Sequence, residues 1–309
     1  MVVSQILGAL IKIFILIIPG IFFKKRNIIT ENQNGAVSSI LVNLTWPCLV
    51  IDAMQIKFSM ETLKDSGYIF GVALIIFAIF AAISFPLAKL MKMPKGKQYA
   101  TVFMLLFGNT GFIGIPVIKA LYGGDAIFFA AIIELVNDLL LFTVGIMLIE
   151  MSAGARLKIG AKNFLNPGLI GVLVGLILFL TNCQLPEILG DAIATVGGAT
   201  TTLTMFVIGF QLGGLKIKEI TGDWQVYVVC FVKLLIVPVV TLLVVKLIAG
   251  DFTLLEKVLI LSFAMPVASV SAIFSQQYKG EAAFATKTVL LSTVFSIITI
   301  PIFAIILEM

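Results

Sequence analysis

The sequence predicts an all-α integral membrane protein: ten transmembrane helices arranged as two inverted repeats of five. Three observations carry this. Of the 309 residues 60% are hydrophobic and only 12% charged, with a mean hydropathy of +1.16, against about 25% charged residues in soluble domains. Apolar runs near the spanning length of about 20 residues recur along the whole chain. A heptad in the first half, YGGDAIF at 122–128, returns as YKGEAAF at 278–284.

The ten runs fall at about 4–23, 36–54, 68–91, 98–120, 126–151, 165–181, 187–213, 224–248, 256–276 and 283–307. The loops between them are too short for a soluble domain to fold. The first run has no basic residue ahead of it, and Lys24, Lys25 and Arg26 come after it. It therefore reads as an uncleaved first helix, not as a signal peptide. Loops after odd-numbered spans carry 13 basic residues, from Lys24 to Lys279, and those after even-numbered spans carry 5. Positive charge collects on the cytoplasmic side. The expectation is a plasma-membrane protein with both termini outside.

The net charge of +5 is thus a topology signal spread over loops, not a nucleic-acid footprint. The chain has no histidine, which excludes His-based triads and His-zinc sites. Cys48, Cys183 and Cys230 show no metal or CxxC spacing. No nucleophile–base constellation appears, so the reading is not an enzyme, and no cofactor is expected.

In the two heptads four of seven positions are identical, and Asp125 faces Glu281. Each closes one span's exit loop and opens the next span. Pro86 in span three is echoed by Pro238 in span eight. FGNTGFIGIP at 107–116, in span four, is answered by AMPVASVSAIFSQQ at 264–277, in span nine. The halves are then 1–151 and 152–309. Five spans per half is odd, so the second copy enters the membrane from the opposite face.

The stretch 107–116 places glycines, an asparagine, a threonine and a proline inside an apolar segment, where unmet backbone groups are costly. Interrupted helices at corresponding places in inverted repeats mark secondary transporters, with a binding site near the midplane. Half-helices that begin at such breaks aim their positive ends into the site and favour an anion. Candidate substrate-binding residues are Asn109, Thr110, Gly111, Phe112 and Pro116 in span four. Met265, Pro266, Ser269 and Ser271 join them from span nine, and Asn43 and Trp46 from the proline-interrupted span two.

Ionisable residues inside spans default to function. Glu134 and Asp138, four apart in span five, share a helix face with Asn137 beside them. Two carboxylates so close in low dielectric cannot both stay charged cheaply, which is the chemistry of a proton relay or a cation site. Na+ near Asp138, or H+, is the expected coupling ion. Lys233 in span eight and Lys287 in span ten are the candidate counter-charges, and Lys233 is placed with the ion-coupling group.

On the strength of four motifs the chain resembles the auxin efflux carrier family of plant carriers and bacterial malate and malonate permeases. NLTWPCLV (43–50), GNTGFIGIP (108–116), IGFQL (208–212) and MPVASVSAIF (265–274) carry the likeness, and the ten-span pattern covers the whole chain. The resemblance implies the fold of bile-acid/sodium symporters: a scaffold, and a core in which spans four and nine cross at unwound middles. A homodimer through the scaffold is likewise implied by the resemblance. The loop at 152–164 is short, which favours a bacterial-type carrier over one for auxin.

The resulting expectation is a secondary carrier of a small organic anion, malate- or malonate-like, moving it by alternating access with H+ or Na+. Two alternatives stand beside it: a sodium/proton antiporter using Asn137, Asp138 and Lys233, and a ligand-sensing membrane receptor using the same pocket.

Overall fold

The structure is a computed structural model and describes residues 2–154, 167–214 and 223–309. The loop bases Arg156, Lys158, Lys162, Lys216 and Lys218, and the first residues of the sixth expected span, lie outside these residues. The described residues are mainly helical. In the first half α1 is Val2–Ile15, α2 Ile17–Lys25, α3 Glu31–Ile40, α4 Trp46–Ala53, α5 Met60–Leu90, α6 Lys95–Leu106, α7 Ile115–Tyr122, α8 Asp125–Leu140 and α9 Ile146–Ser152. In the second, α10 is Pro167–Leu180, α11 Glu187–Gly198, α12 Thr200–Gly213, α13 Trp224–Phe231, α14 Val237–Ala249, α15 Leu254–Phe263, α16 Val270–Gln277 and α17 Ala282–Ile306.

The boundaries reflect local chemistry. Thr30 and Gln33 form a capping box at the start of α3, as Thr253 and Glu256 do for α15, and the Ser59 hydroxyl caps α5. Gly123 and Gly250, with φ of 84° and 78°, end α7 and α14 in a backbone conformation that side chains resist.

Seven helical stretches among the described residues are long and apolar enough to cross a membrane: Leu7–Lys25, Glu31–Ala53, Met60–Leu90, Asp125–Ser152, Glu187–Gly213, Trp224–Ala249 and Ala282–Ile306. The protein is a multi-pass, all-helical membrane protein. Three expected spans differ from continuous long helices. Span six is described only as α10, 14 residues long. Span four consists of α6 and then the helical stretch Thr110–Tyr122, separated by residues 107–109. Span nine consists of α15 and α16, separated by residues 264–269.

Among the described residues four places widen by one residue into π turns: Leu41–Thr45, Thr110–Gly114, Leu141–Gly145 and Val232–Ile236. In three of them a proline stands two positions beyond the turn, at Pro47, Pro116 and Pro238. Proline has no N–H to give and its ring crowds the carbonyl four residues back; a wider turn relieves that clash without ending the helix. Pro86 sits inside α5 with no such widening, so it differs from its expected counterpart Pro238.

Packing divides the helices into two groups. In the first, α2 lies on α12, and α4 on α10 and α11. Glycines allow near backbone-to-backbone contact there. A Cβ on Gly209 would lie 3.1 Å from the Gly20 Cα; one on Gly171, 2.9 Å from the Pro47 Cα; one on Gly197, 2.8 Å from the Leu49 nitrogen. Small residues at close crossings are how helices associate where lipid offers no hydrophobic drive. In the second group α5 packs on α6 and α8, α15 on α8 and α14, and α17 on α13 and α16. The two groups meet where α4 and α10 touch α8, and α1, which continues into α2, touches α7 and α17.

Candidate functional site

The two non-helical stretches lie against each other. The Asn109 amide donates to the Pro266 carbonyl at 2.7 Å, and the Ala268 amide donates to the Phe107 carbonyl at 3.1 Å. These bonds flank an antiparallel bridge between Gly108 and Val267. Backbone groups that helices would have satisfied are thereby paired across the two segments, as a low-dielectric interior demands. The Val267 amide donates to the Ser292 hydroxyl of α17 at 3.2 Å, which fixes the second segment from behind.

Side chains extend the junction. The Asn109 amide group donates to the Ser269 hydroxyl at 2.9 Å, and the Asn109 carbonyl accepts from Ile113 and Gly114 at the start of the π turn. The Thr110 hydroxyl donates to a Glu134 carboxylate oxygen. Gly111 permits the approach of α8: a Cβ there would lie 2.9 Å from the other Glu134 oxygen and 3.4 Å from the Trp46 ring.

Above this junction is a cavity of about 350 Å³. Gly108, Asn109, Gly111 and Phe112 line it from the first segment, and Ala268, Ser269 and Val270 from the second. From α8 come Glu134, Asn137 and Asp138, at 8%, 4% and 8% exposure. Trp46 and Phe112 meet edge to face with ring centroids 6.5 Å apart, and Phe142 and Phe274 do so at 6.1 Å. The result is a polar floor and carboxylate wall between aromatic pairs, the usual make-up of a small-molecule site.

Of the sequence candidates, Asn109, Gly111, Phe112, Ser269, Trp46, Glu134, Asn137 and Asp138 converge on this cavity. Thr110 reaches it through Glu134. Met265 and Pro266 belong to the junction itself, Pro266 through its carbonyl. Pro116 is buried in α7 and Ser271 is wholly buried in α16, neither lining the cavity. Asn43 is not at the site: it is exposed, and its side chain donates to the Ser39 carbonyl of its own helix at 2.8 Å.

Lys233 is fully buried but does not line the cavity. It stands behind the junction, donating to the Leu105 carbonyl at 3.0 Å in the last turn of α6. A cation there meets carbonyls that the helix end leaves unpaired. Lys287 is half-buried. Among the described residues no cluster of three acidic, His or Cys side chains could hold a metal ion.

Thr204 and Gln211, polar residues of span seven that the sequence leaves evenly balanced between helix packing and cavity lining, line the cavity, as does Phe274 at the end of the MPVASVSAIF motif. Phe142 and Gly168 also line it, and neither lies in a motif read from the sequence.

A family profile described as "Membrane transport protein" matches residues 5–304. The chain is similar to an uncharacterized transporter of Methanothermobacter thermautotrophicus, 21% identical over 96% of this chain and 97% of the relative. A second, of Methanocaldococcus jannaschii, is 23% identical over 93% and 94%. The uncharacterized transporter YfdV of Escherichia coli is 21% identical over 96% of each chain.

Proposed function

The chain belongs to the membrane transport protein family, a family of transporters and not of enzymes, and we propose that it is a secondary carrier of a small organic anion working by alternating access. The observation that carries this is the pair of non-helical segments, 107–109 and 264–269, joined by main-chain bonds at the floor of a buried cavity. In this reading they are the interruptions of two membrane spans that cross, at equivalent places in two inverted repeats, 1–151 and 152–309. The substrate carboxylate rests against Asn109, Ser269 and the first turns of the helical segments that start at Thr110 and Val270, whose amides favour an anion. Trp46, Phe112, Phe142 and Phe274 hold the apolar remainder of the acid.

Glu134 and Asp138 bind the coupling ion, H+ or Na+, one helical turn apart and reached through Asn137. Thr110 joins Glu134 to the first interruption, so that loading of the ion and of the acid are felt by the same segment. The glycine-packed spans, built from α1–α2, α3–α4, α10 and α11–α12, are the scaffold, and the other helices move against them. The carrier sits in the plasma membrane with both termini outside, as the loop charges require, and pairs as a dimer through the scaffold. The cavity volume stands at the low end of small-molecule pockets; malate or malonate fits with room to spare.

The test is uptake by the purified protein in liposomes. Labelled malate, malonate and an indole acid are offered under separate proton and sodium gradients, with Asn109→Ala and Asp138→Asn in parallel. Gradient-driven uptake lost in both variants is expected. Cation movement with no acid uptake would instead establish sodium/proton exchange, the reading that the burial of Lys233 behind Asn137 favours second.

A further inference from the structure

Behind the junction, on the side away from the cavity, lies a small separate void. The volume open to the centre of a water molecule is about 10 Å³, which is the room a single water needs. Lys233, Asn137, Thr110 and Ser262 line it, and Phe77 and Phe263 close it off as a dry wall. Two of the polar groups have capacity to spare. Lysine offers three donors, and the hydrogen bond seen for Lys233 is the one to the Leu105 carbonyl. The Asn137 Oδ1 is buried with no protein partner among the described residues. Thr110 and Ser262 hydroxyls donate elsewhere, to Glu134 and to the Val258 carbonyl, and keep lone pairs for this space.

We propose that this void is a one-water site completing a cage of oxygen acceptors around the Lys233 ammonium, which serves as a tethered cation behind the junction. The ammonium donates to the Leu105 carbonyl and to the water, which donates on to Asn137 Oδ1, with the Thr110 and Ser262 hydroxyls beside it. Oxygen acceptors of this kind also suit a hard metal cation; the lysine fills the place with an ammonium tethered to the chain. Burying an ammonium is tolerable only when acceptors surround it, and the water supplies the acceptor that the protein lacks. Gly108 lies beside this place, where a Cβ would stand in ordinary contact, 3.4 Å from the ammonium nitrogen. For the carrier reading above, on which this consequence rests, no sodium ion is needed behind the junction, and coupling is left to the carboxylates on the other side of Asn137.

Three measurements on the full-length protein decide it. In a high-resolution density map of the wild type, a peak within hydrogen-bond distance of both the Lys233 nitrogen and Asn137 Oδ1 is expected; a dry void overturns the site. In a Glu134→Gln, Asp138→Asn background, which removes the coupling carboxylates, thermal unfolding in sodium chloride and in choline chloride of equal ionic strength should give the same midpoint, and a sodium-specific rise would overturn the tethered-cation role. Lys233→Ala added to that background opens the cage, so the midpoint should rise by a few degrees in sodium but not in choline. The double variant Lys233→Ala with Asn137→Leu should lose that response. A folded Lys233→Ala protein indifferent to sodium overturns the cage. If that variant fails to fold, the density map and the carboxylate-free background still decide. None of the readouts uses an organic acid or flux, so they fail or succeed independently of the carrier reading.

Discussion

Replacing Gly209 by alanine tests the packing of α2 on α12. The new methyl would lie 2.9 Å from the Ile17 carbonyl carbon and nearer still to its oxygen, while ordinary contact begins at 3.4 Å. The obstructing atoms are main chain, so no side chain can swing away. The two helices must therefore part by at least about 0.5 Å, at the point where Gly20 faces Gly209. Alanine's better helix propensity returns up to about 1 kcal/mol, but overpacking costs about 1–3 kcal/mol and loosens neighbouring contacts. Because the obstruction is main chain, the upper end of that range applies, about 3 kcal/mol, and the net loss is about 2 kcal/mol. Gly71→Ala in α5 supplies the control, since a Cβ there meets nothing within 4 Å and only the propensity gain of about 1 kcal/mol remains. The assay is the thermal unfolding midpoint of the purified protein in one detergent: Gly209→Ala is expected a few degrees below wild type and Gly71→Ala at or above it. A Gly209→Ala midpoint equal to the control's would refute the close crossing and, with it, the assignment of α2 and α12 to a rigid scaffold.

Three further outcomes can be measured. Asn109→Ala removes the bond to Ser269 and a direct cavity contact, and acid uptake in liposomes should fall about tenfold or more, the equivalent of roughly 1.4 kcal/mol. Thr110→Val leaves the buried Glu134 carboxylate without that hydroxyl; the loss of about 1–3 kcal/mol should appear as a lower unfolding midpoint together with weakened gradient coupling. Lys97 and Asp223 pair at 3.2 Å with side chains a quarter exposed, so Lys97→Met should change stability by less than about 1 kcal/mol. A larger drop in the unfolding midpoint would show that this pair does more than decorate the surface.

Most of the architecture was legible because membrane helices announce themselves by unbroken apolar length. Gly108 and Pro266 fall in the stretches 107–109 and 264–269, which are not helical. The facing of residues around the π turns was not legible. Asn43 and Trp46 are three apart, and an ordinary α-helix would set them on one face. The extra residue in Leu41–Thr45 rotates the remainder of the helix, which leaves Asn43 exposed and Trp46 only 5% exposed. Glu134 and Asp138, in the plain α-helical stretch of α8, were read correctly as sharing a face. Lys233 lies inside its own π turn, Val232–Ile236, and spacing alone could not say whether its ammonium would face the carboxylates or the end of α6. Phe142 and Gly168 enter the cavity through helix–helix packing, which no single stretch of sequence encodes.

The bonds on either side of the bridge between Gly108 and Val267 join peptide groups of Phe107, Asn109, Pro266 and Ala268, and peptide groups are supplied by almost any residue. Substitutions can therefore redraw the walls of the chamber, its aromatic clamps and its charged side, while the platform beneath stays in place. A lineage of such proteins can change its cargo without rebuilding its machinery, because the part that holds the two segments together is written in the backbone and hardly at all in the alphabet of side chains.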